Sequence, residues 1–131
     1  MTNHLLLYPI AAHIAWVAFL YVLLTIVRAP AVWGVIKNKK DIWASIEPRI
    51  SANLSNQFDW PLFFHITCVL LIVLGNTEPV QLWLAWIFIA GRLIHSFVQI
   101  VTNNIRLRGL VFTINFLAVL AMWVCLLWRA F

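Results

Sequence analysis

Four apolar runs constrain this chain more than any other feature: Leu5 to Val27, about Gln57 to Leu74, Val80 to Val101, and Leu110 to Trp128. Each comes close to the roughly 20 residues an α-helix needs to cross the hydrocarbon core of a bilayer. Lipid offers no partner to open backbone groups, and four strands cannot close a barrel, so the runs are read as helices. Of the 131 residues, 64% are hydrophobic and 10% charged, which is more apolar surface than a soluble domain of this size can bury. Many of the eight Trp and nine Phe sit at the edges of the runs, where amphipathic rings settle at a membrane interface. The expected fold is all-α, an integral membrane four-helix bundle forming one domain over residues 1–131.

Orientation follows from the connections. Arg28 to Ser55 carries Arg28, Lys37, Lys39, Lys40 and Arg49, and Thr102 to Gly109 carries Arg106 and Arg108. Gly75 to Glu78 has no basic residue, and the C-terminus has only Arg129. The positive-inside bias therefore places the first and third connections in the cytoplasm and both termini on the periplasmic side of an inner membrane. Met1 to His4 has no Lys or Arg and leads into a span-length segment, so a retained first helix is expected rather than a cleaved signal peptide. The net charge of +5 sits in these loops and not on a soluble face, which argues against a nucleic-acid partner. Cys68 and Cys125 lie in separate apolar runs, neither in a CxxC pair, and this disfavours a disulfide framework or thiol relay.

The second helix is expected to begin before its span. Ser45 suits the cap, Glu47 and Pro48 the first turn, and no breaker intervenes before Pro61. Pro61 leaves the Gln57 carbonyl without its usual donor, which implies a bend or a donor from a neighbouring element. On such a helix Arg49, Asn53, Asn56 and Trp60 share one face, and Asn56, Asp59 and Phe63 an overlapping one. On the third helix Arg92, His95, Gln99, Thr102 or Asn103, and Arg106 recur at intervals of three and four, forming one polar stripe. Arg92 falls near mid-membrane, where a guanidinium costs several kcal/mol unless it faces protein or water. Asp59 is the only acidic residue at or within a run. It is therefore expected to be the counter-charge to Arg92 or His95, either in a site or as a buried ion pair that fixes helix register.

Asn103, Asn104, Arg106 and Arg108 place amide donors and cations at the membrane surface. They read as an anion or thiolate site, because a guanidinium binds carboxylate bidentately and favours a thiolate. Taken apart from any resemblance, they read first as topology signals that touch lipid headgroups. His65 and His95 fall at similar depths, which by depth alone would suit a bis-histidine haem or metal site. No further ligand pattern accompanies them, so no metal is expected, and His13, His65, His95 and Asn115 are read as interhelical hydrogen-bonding groups.

The run EPRISANLSNQFDWPLFF, Glu47 to Phe64, resembles the second-helix signature of the MAPEG family, the membrane-associated proteins of eicosanoid and glutathione metabolism. The run GRLIHSFVQIVTNNIRLRG, Gly91 to Gly109, resembles that family's third helix and closing arginines. The layout of four spans extends the resemblance over nearly the whole chain, and the NQFDWP core is closest to the bacterial branch. The resemblance implies a homotrimer with glutathione held between neighbouring subunits near the cytoplasmic face. It implies transferase, peroxidase or isomerase chemistry on lipophilic electrophiles. Position by position, it implies glutathione contacts from Arg49, Asn53 or Asn56, and Asp59 on the second helix, and from Arg92, His95 and Gln99 on the third. Arg108 or Arg106 would stabilise the thiolate, and Arg28 would meet a carboxylate. The chain also departs from the family pattern. Pro48 separates Glu47 from Arg49, the acidic residue is Asp and stands closer to the proline, and Gln99 replaces a common tyrosine.

The resulting expectation is a MAPEG-type protein that uses glutathione or a similar acidic thiol, in contact with membrane lipids and a lipophilic small molecule. The alternative is a non-catalytic scaffold or lipid-binding protein of the same fold. Proton-coupled export needs an ionisable carboxylate deep in a span, commonly the first, and the first span here has none.

Overall fold

The computed structural model describes residues 3–34 and 42–131, and Lys37, Lys39 and Lys40 of the basic first connection lie outside the described residues. A single-turn 3-10 segment, Asn3–Leu6, leads into five α-helices: α1 (Leu7–Val32), α2 (Ile42–Ser55), α3 (Pro61–Val73), α4 (Pro79–Val101) and α5 (Ile105–Ala130). All regular structure among the described residues is helical. Three stretches are long and apolar enough to cross a membrane: His4–Val32, Pro79–Val101 and Ile105–Ala130. Arg28 and Pro30, assigned to a loop by sequence, stand inside α1. The second apolar run differs from expectation, since its helix α3 has 13 residues and is only about 20 Å long by helical rise.

The expected continuous second helix is broken. α2 begins at Ile42, so Ser45 stands inside it rather than at its cap, and Pro48 falls in its interior without an N–H for the Ala44 carbonyl. Beyond Ser55 the backbone tightens: the Gln57 N–H reaches the Leu54 carbonyl at 3.0 Å and the Phe58 N–H reaches Ser55 at 3.1 Å. Pro61 then opens α3, where its missing N–H has no helical partner to lose. The bend anticipated at Pro61 is thus a full break over residues 56–60.

The stripe on the third helix also ends early. Thr102 is extended, with φ −117° and ψ 162°. The Asn104 side chain accepts the Leu107 N–H at 3.0 Å, starting α5 at Ile105. Arg106 and Arg108 consequently belong to the first turns of α5, and the polar face of α4 does not extend to Arg106.

Two apolar clusters flank the polar interior. One joins Leu6 to α3, α4 and α5 through Phe64, Leu71, Phe88, Val119 and Met122, with Phe64 and Phe88 stacked at a centroid separation of 4.3 Å. The other packs Leu20, Leu24 and Val27 of α1 on Ile50 and Leu54 of α2. α3 ends in a left-handed Gly75, φ 68°, with the Asn76 N–H returning to the Leu71 carbonyl at 3.1 Å, the geometry glycine favours after a helix. At this same end of the molecule an ion pair between Glu78 and Arg129 ties the start of α4 to the end of α5. Between the apolar clusters lie the buried side chains of His13, Asn53, Gln57, Arg92, Ser96 and Gln99.

Candidate functional site

The polar layer is organised by Arg92, which is 1% exposed. Its Nε donates to Gln57 Oε1 at 3.2 Å and its Nη2 to the Asn56 carbonyl at 3.0 Å. The helix break makes the second bond available, because in a continuous helix that carbonyl would accept from residue 60. A guanidinium only donates, so Gln57 presents its oxygen to Arg92 and turns its amide nitrogen to Asn53 Oδ1 and Ser96 Oγ, each at 3.2 Å. Asn53 then donates to Gln99 Oε1 at 2.9 Å, and Asn56 donates to the same oxygen at 3.3 Å. These bonds occupy the Gln99 oxygen and leave its amide nitrogen as a donor.

Asp59 acts on the Arg92 guanidinium as a counter-charge across the space between them, without a direct ion pair. Among the described residues Arg92 has no ion pair with Asp59, and His95 has none either. The guanidinium is held by neutral oxygens, and Asp59 is exposed.

A cavity of about 480 Å³ opens between this turn, α4 and the start of α5. Asn56, Asp59, Arg92, His95, Gln99 and Arg108 line it, over an apolar wall that includes Phe112. His95 is 4% exposed, and its Nδ1 is buried without a hydrogen-bond partner, a state that costs free energy until something fills it. An adjoining cleft of about 450 Å³ shares Gln99 and Arg108 and adds Arg49, Asn103 and Asn104. Arg49 also donates to the Ile100 carbonyl at 3.3 Å. Three guanidinium groups and several amide donors against one carboxylate make the combined cleft a setting for an anionic ligand.

A model of the MAPEG family matches residues 6–128 of the chain. The chain belongs to the MAPEG family. No curated protein and no solved structure matches it.

In this MAPEG protein six of the sequence-expected residues, Asn56, Asp59, Arg92, His95, Gln99 and Arg108, share one cavity. Arg49 lines the adjoining cleft, and Asn53 stands behind both, fully buried. Arg28 is elsewhere, paired with Glu47 at 2.7 Å and reaching Ser51 Oγ at 3.4 Å. Arg106 is exposed on α5 and lines neither space. The histidine that His65 meets is His13, with His65 Nε2 at 2.9 Å from His13 Nδ1. His95 makes no hydrogen bond among the described residues, contrary to the role first read for it. Asn115 is likewise without a side-chain partner, packed against Gly91. Among the described residues no group of three or more His, Cys, Asp or Glu is placed to hold a metal. His13 and His65 hydrogen-bond between helices as expected, whereas Gln57 and Ser96 are members of the polar layer that the sequence did not single out. The four-residue interval from Asn53 to Gln57 is the available signal for Gln57; nothing local marks Ser96.

Proposed function

We propose that this MAPEG protein crosses a bacterial inner membrane four times, assembles as a homotrimer with both termini periplasmic, and binds glutathione or a similar acidic thiol in the Arg92–Arg108 cavity at the cytoplasmic side. α3, extended by the turn before it, supplies the fourth crossing. The observation that carries the ligand reading is the convergence of Arg92, Gln99, Arg108 and the unpartnered His95 Nδ1 on one cavity. Its volume falls within the roughly 300–1,000 Å³ range of small-molecule sites. Carboxylates of the thiol meet guanidinium groups, and Arg108 is the nearer candidate to favour the thiolate, with Arg106 the alternative. The thiol proton passes to water, sulfur forms a bond to an electrophilic carbon of a lipophilic molecule arriving from the bilayer, and the leaving group departs with its electron pair. Arg28 serves such a site only if a neighbouring subunit brings it there.

The test is calorimetric titration of the purified protein with glutathione. We expect saturable heat from the parent protein, binding at least tenfold weaker in Arg108→Ala, and little change in Arg106→Ala. Absence of heat in the parent protein removes the ligand. One observation favours a second reading, a non-catalytic scaffold: Arg92 already spends two donors on Gln57 and Asn56, so its first task is holding helices together. Loss of assembly in an Arg92 variant, with no ligand effect in Arg108→Ala, selects that reading.

A further inference from the structure

A second cleft, about 530 Å³, lies between α1 and the start of α3 and shares no lining residue with the Arg92 cavity. Its walls are mostly apolar or aromatic, including Val17, Phe58 and Leu62, and its polar groups are His13, Gln57, His65 and the Tyr21 hydroxyl. We infer that this cleft is a separate ligand site for a lipid-soluble molecule bearing a phenol-type hydroxyl, a quinol being one example.

The chemistry follows from the hydrogen bonds behind it. Arg92 Nε can only donate, so Gln57 presents Oε1, and His13 Nε2 meets that same oxygen at 3.1 Å. His13 Nε2 must therefore carry a proton. The ring is 2% exposed, shares its acceptor with a guanidinium and has no carboxylate among the residues lining its cleft. A second positive charge there would be uncompensated, so His13 is neutral and its Nδ1 carries the lone pair. His65 Nε2, 2.9 Å away, must then donate, which leaves the lone pair of His65 on Nδ1. That nitrogen has no partner among the described residues, and His65 lines the cleft.

The Tyr21 hydroxyl can donate or accept, so the His65 lone pair is the one free group lining the cleft that can only accept, in largely apolar surroundings. An acyl chain cannot satisfy it, and a carboxylate or phosphate would oppose lone pair to lone pair. A hydroxyl donor fits it. Tyr21 and Phe58, in edge-on contact at 6.4 Å, form an aromatic wall against which a further ring can pack. Selection here is opposite to that of the Arg92 cavity, and the inference stands whether or not glutathione binds.

The test uses the full chain in phosphatidylcholine nanodiscs with ¹⁵N-labelled histidine, titrated with 4-heptylphenol and, separately, with 4-heptylanisole, its methyl ether. Expected are a saturable displacement of the His65 Nδ1 resonance by the phenol only, and phenol binding at least about fivefold tighter than the ether. His65→Phe is expected to abolish that preference. Leu62→Trp, which fills the cleft from its exposed side, is expected to abolish saturable binding of both probes while circular dichroism shows unchanged helicity. Equal affinity for the two probes, no saturable displacement, or a preference retained in His65→Phe overturns the inference. So does a cleft that admits the phenol only after the assembly is dissociated, which would mark it as a contact between subunits.

Discussion

At the scale of single residues, the interior is governed by donors and acceptors more than by charge pairs. Gln57 accepts from Arg92 and His13 through one oxygen and donates to Asn53 and Ser96 through its nitrogen. Gln57→Leu would leave a buried guanidinium and a buried imidazole without their acceptor. It should lower stability by about 2–4 kcal/mol, measured as thermal unfolding in detergent. Asp59→Asn, at an exposed position with no ion pair to Arg92, should change stability by less than about 0.5 kcal/mol. The reverse order would make Asp59 a direct ion-pair partner of Arg92. The residue types of this layer were legible in the sequence, because an arginine and several amides in apolar runs demand partners. The pairings were not. Arg92 found a backbone carbonyl that exists only because a helix stops, and His13 lies 44 residues from Gln57, a separation no periodicity reports.

At the scale of elements, α1 and α4 could be read from length and apolar run, since lipid leaves the backbone no alternative to a helix. The break over residues 56–60 was hidden. Ser55 to Asp59 contains no Gly or Pro, and the tight turns there follow from Pro61 together with the tertiary demands of Asn53, Asn56 and Gln57. The start of α5 was missed for a related reason: Asn104 caps it, but a polar run with two arginines also reads as a loop. Asn104→Ala removes that cap and should cost about 1 kcal/mol locally, seen as faster amide exchange at residues 105–108. Because Arg108 rides on that turn, the same variant should weaken glutathione binding. α4 and α5 meet at Gly91, where an added Cβ would strike Asn115 Oδ1 and Cγ. Gly91→Ala should therefore destabilise the protein by about 1–3 kcal/mol, and Gly91→Ala with Asn115→Ala should recover most of the loss.

At the scale of the whole molecule, three helices long enough to cross a membrane and the family match over residues 6–128 make this a membrane protein, and it carries a buried polar layer. The Arg92 cavity lies at the end carrying the short α4–α5 connection, and the Glu78–Arg129 pair closes the other end. If the trimer is the working form, native mass spectrometry from detergent should give three copies of the 15.1 kDa chain, and a monomeric spectrum under conditions that preserve binding would count against it. The most direct measurement of the central claim is a density map of the protein in lipid nanodiscs at saturating glutathione. Density is expected to run from Arg108 past Gln99 to Arg92, with a polar atom within hydrogen-bond distance of His95 Nδ1. Glutathione bound at any other surface, or this cavity left without it, would contradict the account.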